Sequence, residues 1–172
     1  MTLTVEDGTG LAAADSYQSL AEIEAYFDLY GLRPSNWCTL GTDGREQKAR
    51  AAFQWLNTLK YKGAKKTDAQ AGLWPRVGVY DEEGYSVAED SLPAELKAAN
   101  AEVVIVACAG DLFTTITEGE VASESFRLGP ISETISYRTP APRVTQYPKI
   151  RTILRPLLAV GGSSLTVKGY RA

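Results

Sequence analysis

The chain has 172 residues, of which 44% are hydrophobic and 23% are charged, and its formal net charge is −3. These values are typical of one globular domain, or of one domain with extensions, and no apolar run approaches the roughly 20 residues of a membrane-spanning helix. Histidine is absent and no CxxC motif occurs, which excludes Ser-His-Asp and Cys-His catalysis, His-ligated metals and a thioredoxin-like motif.

The first predicted elements are an N-terminal arm and a helix. Residues 1–15 are small and polar and are expected to form an extended arm. Ser19 and Glu22 match a capping box, in which each side chain satisfies a free backbone amide at the start of a helix. The apolar face of this first helix is predicted to consist of Ile23, Phe27 and Tyr30, and Gly31 is predicted to end it.

A second helix is predicted from Thr42 or Asp43 to about Lys62. Its buried stripe is expected to consist of Ala49, Ala52, Phe53, Leu56 and Leu59. The lysines at and beyond its end, Lys62, Lys65 and Lys66, suit the negative end of the helix dipole. Binding of nucleic acid is the alternative explanation for these lysines, and it is the less favoured of the two.

A long connection over residues 63–91 contains the sequence Leu73-Trp74-Pro75-Arg76-Val77-Gly78-Val79-Tyr80. The proline disfavours helical backbone at Trp74, so the segment is expected to be extended. Trp and Arg are enriched at interface hot spots, which makes the segment a candidate contact surface. The alternative is that Trp74 fills the core of its own domain, since tryptophan is highly buried on average.

A third helix is predicted to begin at Pro93 and to run to about Phe113. Residues 103–109 are apolar on all sides of a helix, so this helix is expected to be the central and most buried one.

The hydrophobic pattern then changes to that of strands. Residues 121–128 and 131–137 are rich in β-forming residues and are separated by Gly129-Pro130, which predicts a β-hairpin over about 121–137. Tyr147-Pro148 opens a last helix, which Pro156 is expected to kink or end. The predicted fold is thus mainly α: a bundle of about four helices over residues 16–160, with a small hairpin before the last helix and extended N- and C-terminal arms.

The C-terminal residues 161–172 are predicted to form a flexible tail. Within the tail, residues 165–170 alternate like a strand, which is expected to be disordered or to add to a sheet edge of another protein. Residues 139–172 carry a formal charge of +6, so residues 1–138 carry −9. This asymmetry suggests that residues 139–172 meet an acidic surface or a polyanion; a solvated basic face is the alternative.

Several sequence blocks together resemble one family of proteins from the head-morphogenesis regions of long-tailed phages and prophages. The blocks are VEDGTGL at 5–11, ADSY at 14–17, LWPRVGVY at 73–80, LPAELKAA at 92–99, LGPI at 128–131, YP at 147–148 and LRPLL at 154–158. The resemblance spans nearly the whole chain. Members of this family are labelled DnaT-like single-stranded-DNA-binding proteins, and their size and helical pattern also resemble those of phage head–tail connector, or adaptor, proteins.

The connector resemblance implies a structural protein in a dodecameric homo-oligomeric ring. The ring would lie beneath the portal protein, extend the channel through which double-stranded DNA passes without sequence recognition, and dock a tail or tail-completion protein. It would be made in the host cytoplasm and located in the virion, without contact to a membrane. The residues that would contact a neighbouring subunit are Trp74, Pro75, Arg76 and Tyr80, and the tail residues that would dock to the portal protein are Leu165, Val167, Lys168, Tyr170 and Arg171.

The DnaT-like label implies the alternative function, single-stranded-DNA binding in phage replication. Such a protein needs a basic groove with aromatic stacking platforms, whereas the wall of a DNA channel must not hold phosphates. The acidic charge of residues 1–138 therefore favours the connector. An enzyme could depend only on carboxylates such as Asp81, Glu82 and Glu83, for which a solvated loop is the simpler explanation; we expect no enzymatic activity, cofactor or metal.

Overall fold

The structure is a computed structural model that describes residues 2–113, 115–116, 123–128, 131–136, 143–144 and 147–159. The helices are α1 (Leu20–Tyr30), α2 (Thr42–Leu56), α3 (Ala94–Ala109) and α4 (Pro148–Leu154), with a 3₁₀ turn at Trp37–Thr39. The strands are β1 (Ala64–Lys65), β2 (Arg76–Val77), β3 (Thr115–Ile116), β4 (Ser123–Leu128), β5 (Ile131–Ser136) and β6 (Arg143–Val144). The predicted fold class is confirmed: the described part is mainly α, with four helices and a small hairpin before the last.

The strands form three separate antiparallel pairs among the described residues, β1 with β2, β3 with β6, and β4 with β5. The β4–β5 pair is the predicted hairpin, and its register places Ser123 opposite Ser136 and Leu128 opposite Ile131. Three isolated bridges join further described segments, Val5 to Ser16, Tyr61 to Leu158 and Tyr80 to Ser86. The Tyr61–Leu158 bridge fixes the chain after α4 against the chain after α2.

The first helix begins and ends as predicted. The Ser19 amide donates to Glu22 over 2.8 Å, and the Glu22 amide donates to the Ser19 hydroxyl over 3.2 Å, which completes the capping box. Gly31 ends the helix in the left-handed conformation. Ile23 and Phe27 are buried as expected, whereas Tyr30 is exposed.

The second helix is shorter than predicted. It ends at Leu56, and the capping residue Asn57 uses its side-chain oxygen to accept hydrogen bonds from the Tyr17 hydroxyl and the Leu73 amide. The helix also starts directly after Gly41, which takes the capping position predicted for Thr42 or Asp43. The predicted stripe is otherwise confirmed: Ala49, Ala52, Phe53 and Leu56 are buried, and Leu59, beyond the helix, is partly buried against the core.

The third helix is the central one, as predicted, because it contacts α1, α2 and α4. Pro93 precedes it, and Gly110 ends it three residues before Phe113, which is exposed. Its buried residues include Leu96, Ala99, Val103, Val104 and Ala107. The last helix ends at Leu154, so that Pro156 lies in the following turn, which agrees with the expected effect of this proline.

The N-terminal residues lie against their own chain. The Glu6 carboxylate is buried and accepts hydrogen bonds from the amides of Gly8, Gly10 and Leu11 at 2.8–3.0 Å. Gly8 has φ of +99°, and a Cβ atom there would lie 2.1 Å from the carbonyl oxygen of Asp90. The VEDGTGL motif thus builds a turn that seats the predicted arm on the body. The domain boundary at residues 15–16 stays a prediction, and the predicted tail lies outside the described residues.

Candidate nucleic-acid interface

The 73–80 segment lies mostly inside the molecule. Trp74 has no exposed surface, and its ring packs edge-on against Tyr61 with centroids 5.8 Å apart. Pro75 and Arg76 are also buried, whereas Tyr80 is 56% exposed. The structure thus favours the alternative that Trp74 fills its own core. Contact between subunits stays a prediction for the four candidates, and Tyr80 is the one whose side chain reaches the surface.

Arg76 is held by backbone carbonyl groups. Its guanidinium donates to the carbonyl oxygens of Lys62, Gly63 and Leu73 over 2.6, 2.7 and 3.1 Å. No carboxylate of the described residues forms an ion pair with it. Burial lowers the pKa of the guanidinium, although an arginine side chain stays protonated in proteins. Arg76 therefore joins residues 62–63, in the chain after α2, to the 73–80 segment and has a structural role.

Tyr17 fixes the same segment from the other side. Its hydroxyl donates to Asn57 and accepts from the Leu73 amide over 3.0 Å. Burial raises the pKa of Tyr17 to about 12, although hydrogen bonds from the Trp74 and Leu73 amides act in the opposite direction. The ADSY and LWPRVGVY motifs are therefore connected directly by hydrogen bonds. Their occurrence in the same chain is explained by this contact in the fold and does not require a catalytic role.

A short hairpin over residues 79–87 presents two tyrosines to solvent. The Tyr80–Ser86 bridge closes it, and the Asp81 carboxylate holds its tip by accepting from the amides of Glu83 and Tyr85 over 3.0 and 2.8 Å. Tyr80 is 56% and Tyr85 70% exposed. A fixed backbone thus carries two large aromatic side chains that the body does not cover.

Two basic side chains contact this hairpin, and a third lies close by in the sequence. The Lys62 ammonium donates to the Tyr80 carbonyl oxygen over 3.2 Å. The exposed Lys60 comes two residues before Lys62, and its carbonyl oxygen accepts from the Ala159 amide. Arg155, just after α4, reaches the hairpin through an ion pair with Glu82, in which Nε lies 2.8 Å from Oε1. We refer to the cluster of Lys60, Lys62, Tyr80, Glu82, Tyr85 and Arg155 as the Tyr80–Arg155 surface.

Of this cluster, Tyr80 was predicted to contact a neighbouring subunit, and nucleic-acid binding was the less favoured explanation for Lys62. Arg155 was one of the basic residues in 139–172 for which contact with an acidic surface or a polyanion was suggested, and Tyr85 had no predicted role. The segments that carry these residues are far apart in the sequence, and the signal that joins them is the pairing of residues 60–62 with residues 157–159. That pairing depends on how α4 packs, which a single sequence does not reveal.

Elsewhere on the described body, most basic side chains interact with carboxylates or carbonyl groups of the protein itself, and Arg151 on α4 is exposed. Four of them form ion pairs with carboxylates, namely Arg33, Arg45, Arg50 and Lys97. Three others donate to backbone carbonyl oxygens, namely Lys48, Lys65 and Lys66. Lys149 pairs with the buried Glu102 over 2.6 Å, and Glu102 also accepts from the Tyr26 hydroxyl. The lysines beyond α2 therefore interact mainly with nearby carbonyl groups.

A metal site and a membrane-spanning helix are two other features that would indicate a function. Among the described residues, no cluster of three or more His, Cys, Asp or Glu side chains could hold a metal ion. No helix of the described part is both long and apolar enough to span a membrane. The tail candidates Leu165, Val167, Lys168, Tyr170 and Arg171 lie outside the described residues.

Comparison with known proteins gives one match. Residues 1–172 match the family described as "Putative DnaT-like ssDNA binding protein". No curated protein and no solved structure matches the chain. The match supports the alternative of the sequence analysis better than the head–tail connector. The chain therefore belongs to the family of putative DnaT-like single-stranded-DNA-binding proteins.

Proposed function

We propose that the protein binds single-stranded DNA, and that it does so at the Tyr80–Arg155 surface. The observation that carries this proposal is a fixed hairpin with two exposed tyrosines, which two basic side chains, Lys62 and Arg155, contact. Unpaired bases need aromatic platforms for stacking, and the strand needs cations along its backbone. Membership of a family described by its likeness to a single-stranded-DNA-binding protein supports the same ligand.

The two residue types have separate roles in this proposal. Tyr80 and Tyr85 stack on bases, and stacking on one aromatic side chain contributes about 1–3 kcal/mol per base without regard to base identity. Lys60, Lys62 and Arg155 contact phosphates. Three phosphate contacts on a single strand predict that the logarithm of the association constant falls with the logarithm of salt concentration with a slope of about −2.

Fluorescence anisotropy with a labelled oligothymidylate, over a series of salt concentrations, tests the proposal. Tyr85→Ala is expected to raise Kd about 5- to 100-fold, because one stacking platform is lost. The matched control is Tyr30→Ala on α1, since Tyr30 is also a tyrosine more than half exposed and lies outside the Tyr80–Arg155 surface. No binding at low salt, or equal weakening by both substitutions, would contradict the proposal.

A second candidate function, the structural head–tail connector, is supported by the electrostatics of the remaining body. Most of its basic side chains are held internally, whereas exposed acids such as Asp68, Asp90 and Glu95 form no ion pair among the described residues. Such a surface repels phosphates, which suits the wall of a DNA channel. In this role the protein would have no enzymatic activity and would be located in the virion after synthesis in the host cytoplasm.

Electron micrographs of the protein mixed with portal protein test the second candidate. Ring-shaped assemblies on the portal, together with a lack of oligothymidylate binding, would favour the connector. In that case Tyr80 is the candidate for contact between subunits, and residues 165–171 are the candidates for docking. A chain lacking residues 161–172 should then lose affinity for the portal, and unchanged affinity would contradict this docking role.

A further inference from the structure

Glu82 and Arg155 form a two-pronged ion pair on the Tyr80–Arg155 surface. Arg155 Nε lies 2.8 Å from Glu82 Oε1, and Arg155 Nη2 lies 2.8 Å from Glu82 Oε2. The Arg155 side chain is 71% exposed and the Glu82 side chain 46%, so a ligand can reach both. A guanidinium binds carboxylate and phosphate with this same fork geometry. The Glu82 carboxylate therefore occupies the position that a phosphate would take on Arg155.

The backbone around Glu82 is fixed by its neighbours. Asp81 accepts hydrogen bonds from the amides of Glu83 and Tyr85, and the Gly84 amide donates to the Asp81 carbonyl oxygen over 3.3 Å. Arg155 is fixed in turn by the end of α4 and by the adjacent Tyr61–Leu158 bridge. The ion pair thus joins two ordered segments of backbone.

We propose that Glu82 is an internal competitor of DNA for Arg155, and that a bound single strand displaces it with one of its phosphates. This inference rests on the proposed single-stranded-DNA-binding function. Exchange of one anion for another on the same guanidinium yields little net binding energy. Most of the affinity must then come from stacking on Tyr80 and Tyr85, which only unpaired bases allow. Glu82 would therefore lower the affinity of the surface for single strands and duplex DNA alike, and the preference for single strands would come from stacking on Tyr80 and Tyr85.

Two substitutions in the hairpin separate this effect from a general change in charge. Glu82→Gln removes the competitor, whereas Glu83→Gln removes the same charge one residue away, from a side chain that forms no ion pair among the described residues. Glu82→Gln is expected to tighten binding of oligothymidylate about two- to five-fold, the range that an exposed ion pair contributes. It should tighten binding of a duplex of equal length by a similar factor, since a duplex also presents phosphates to Arg155. Glu83→Gln should give less than half of this gain.

The inference also requires that the gain depends on Arg155. In an Arg155→Ala background, Glu82→Gln should give no more gain than Glu83→Gln. Equal gains from the two substitutions in the wild-type background, or a full gain from Glu82→Gln without Arg155, would overturn the inference while leaving the proposed function in place. Failure of the wild-type protein and of both Gln variants to bind oligothymidylate would instead overturn the proposed function, and this inference with it. Unchanged thermal unfolding of each variant provides the check on folding.

Discussion

Replacement of Arg76 by Ala tests the structural role that the buried guanidinium has in this fold. The substitution removes three hydrogen bonds from a charged donor to the carbonyl oxygens of Lys62, Gly63 and Leu73. At about 1.5–3 kcal/mol for each bond to a charged group, the upper limit of the loss is about 4–9 kcal/mol. Relief of the desolvation of Arg76, and access of water to the exposed Gly63, offset part of it. We expect a loss of about 3 kcal/mol in the free energy of unfolding.

Thermal unfolding followed by circular dichroism measures this loss. For a chain of this length, about 3 kcal/mol corresponds to a decrease in Tm of about 6–12 °C. The matched control is Arg33→Ala, which removes an arginine whose ion pair with Asp28 is exposed. Because exposed ion pairs contribute little to stability, this control should change Tm by less than about 2 °C.

Arg76→Lys provides a graded version of the same test. A lysine keeps the positive charge but lacks the planar fork that reaches several carbonyl oxygens at once. It should therefore restore less than half of the lost stability. The structural role of Arg76 would be refuted if Arg76→Ala left Tm unchanged and instead caused an oligomer to dissociate. That result would assign Arg76 to contact between subunits.

Three further predictions concern the N-terminal turn and the buried phenol. Gly8→Ala should lower the free energy of unfolding by about 3 kcal/mol or more, because a methyl group there meets a carbonyl oxygen. Gly84 has φ of +90° but open space around it, so Gly84→Ala should lower the free energy of unfolding by about 1 kcal/mol. Equal losses of this free energy in urea unfolding would contradict the predicted clash. Glu6→Gln should cost about 2 kcal/mol in the same assay, because one of its oxygens accepts amide hydrogen bonds that an NH₂ group cannot accept; an unchanged urea midpoint would contradict this. The pKa of Tyr17 is about 12 in the folded state, above the value near 10 of a free phenol. The protonated Tyr17 hydroxyl therefore stabilises the folded state fully below pH 10, and this contribution to the free energy of unfolding is lost as pH rises toward 12. Urea unfolding between pH 8 and 11 should show this decline, and Tyr17→Phe should reduce its slope; equal slopes in both proteins would exclude Tyr17 as the cause.

The sequence predicts the elements whose signals are local. The capping box of Ser19 and Glu22 and the apolar run of residues 103–109 depend on neighbours within one or two turns, and the structure has both as expected. The end of α2 was predicted too late, and the residue that caps it, Asn57, bonds to Tyr17 and Leu73, which are distant in sequence. Local propensity does not contain such contacts.

The candidate site is harder to predict than the fold. Trp74 and Arg76 have the composition of an interface, but their burial follows from the carbonyl groups and rings that surround them. Conversely, Tyr85 is unremarkable in the sequence, and nothing in the sequence indicates that Arg155 reaches Glu82 or that residues 60–62 pair with residues 157–159. The sequence thus indicates the 73–80 segment, which matters for the fold, but it does not predict most of the Tyr80–Arg155 surface.

The hydrogen bond from the Ala159 amide to the Lys60 carbonyl oxygen determines where the chain leaves the described body. Ala159 is therefore joined to the backbone of Lys60, two residues before the lysine whose ammonium donates to the Tyr80 carbonyl oxygen. A fluorescent label introduced at Ala159 would be attached close to the proposed binding surface and could block it. Binding measurements on this protein are therefore best designed with the label on the oligothymidylate.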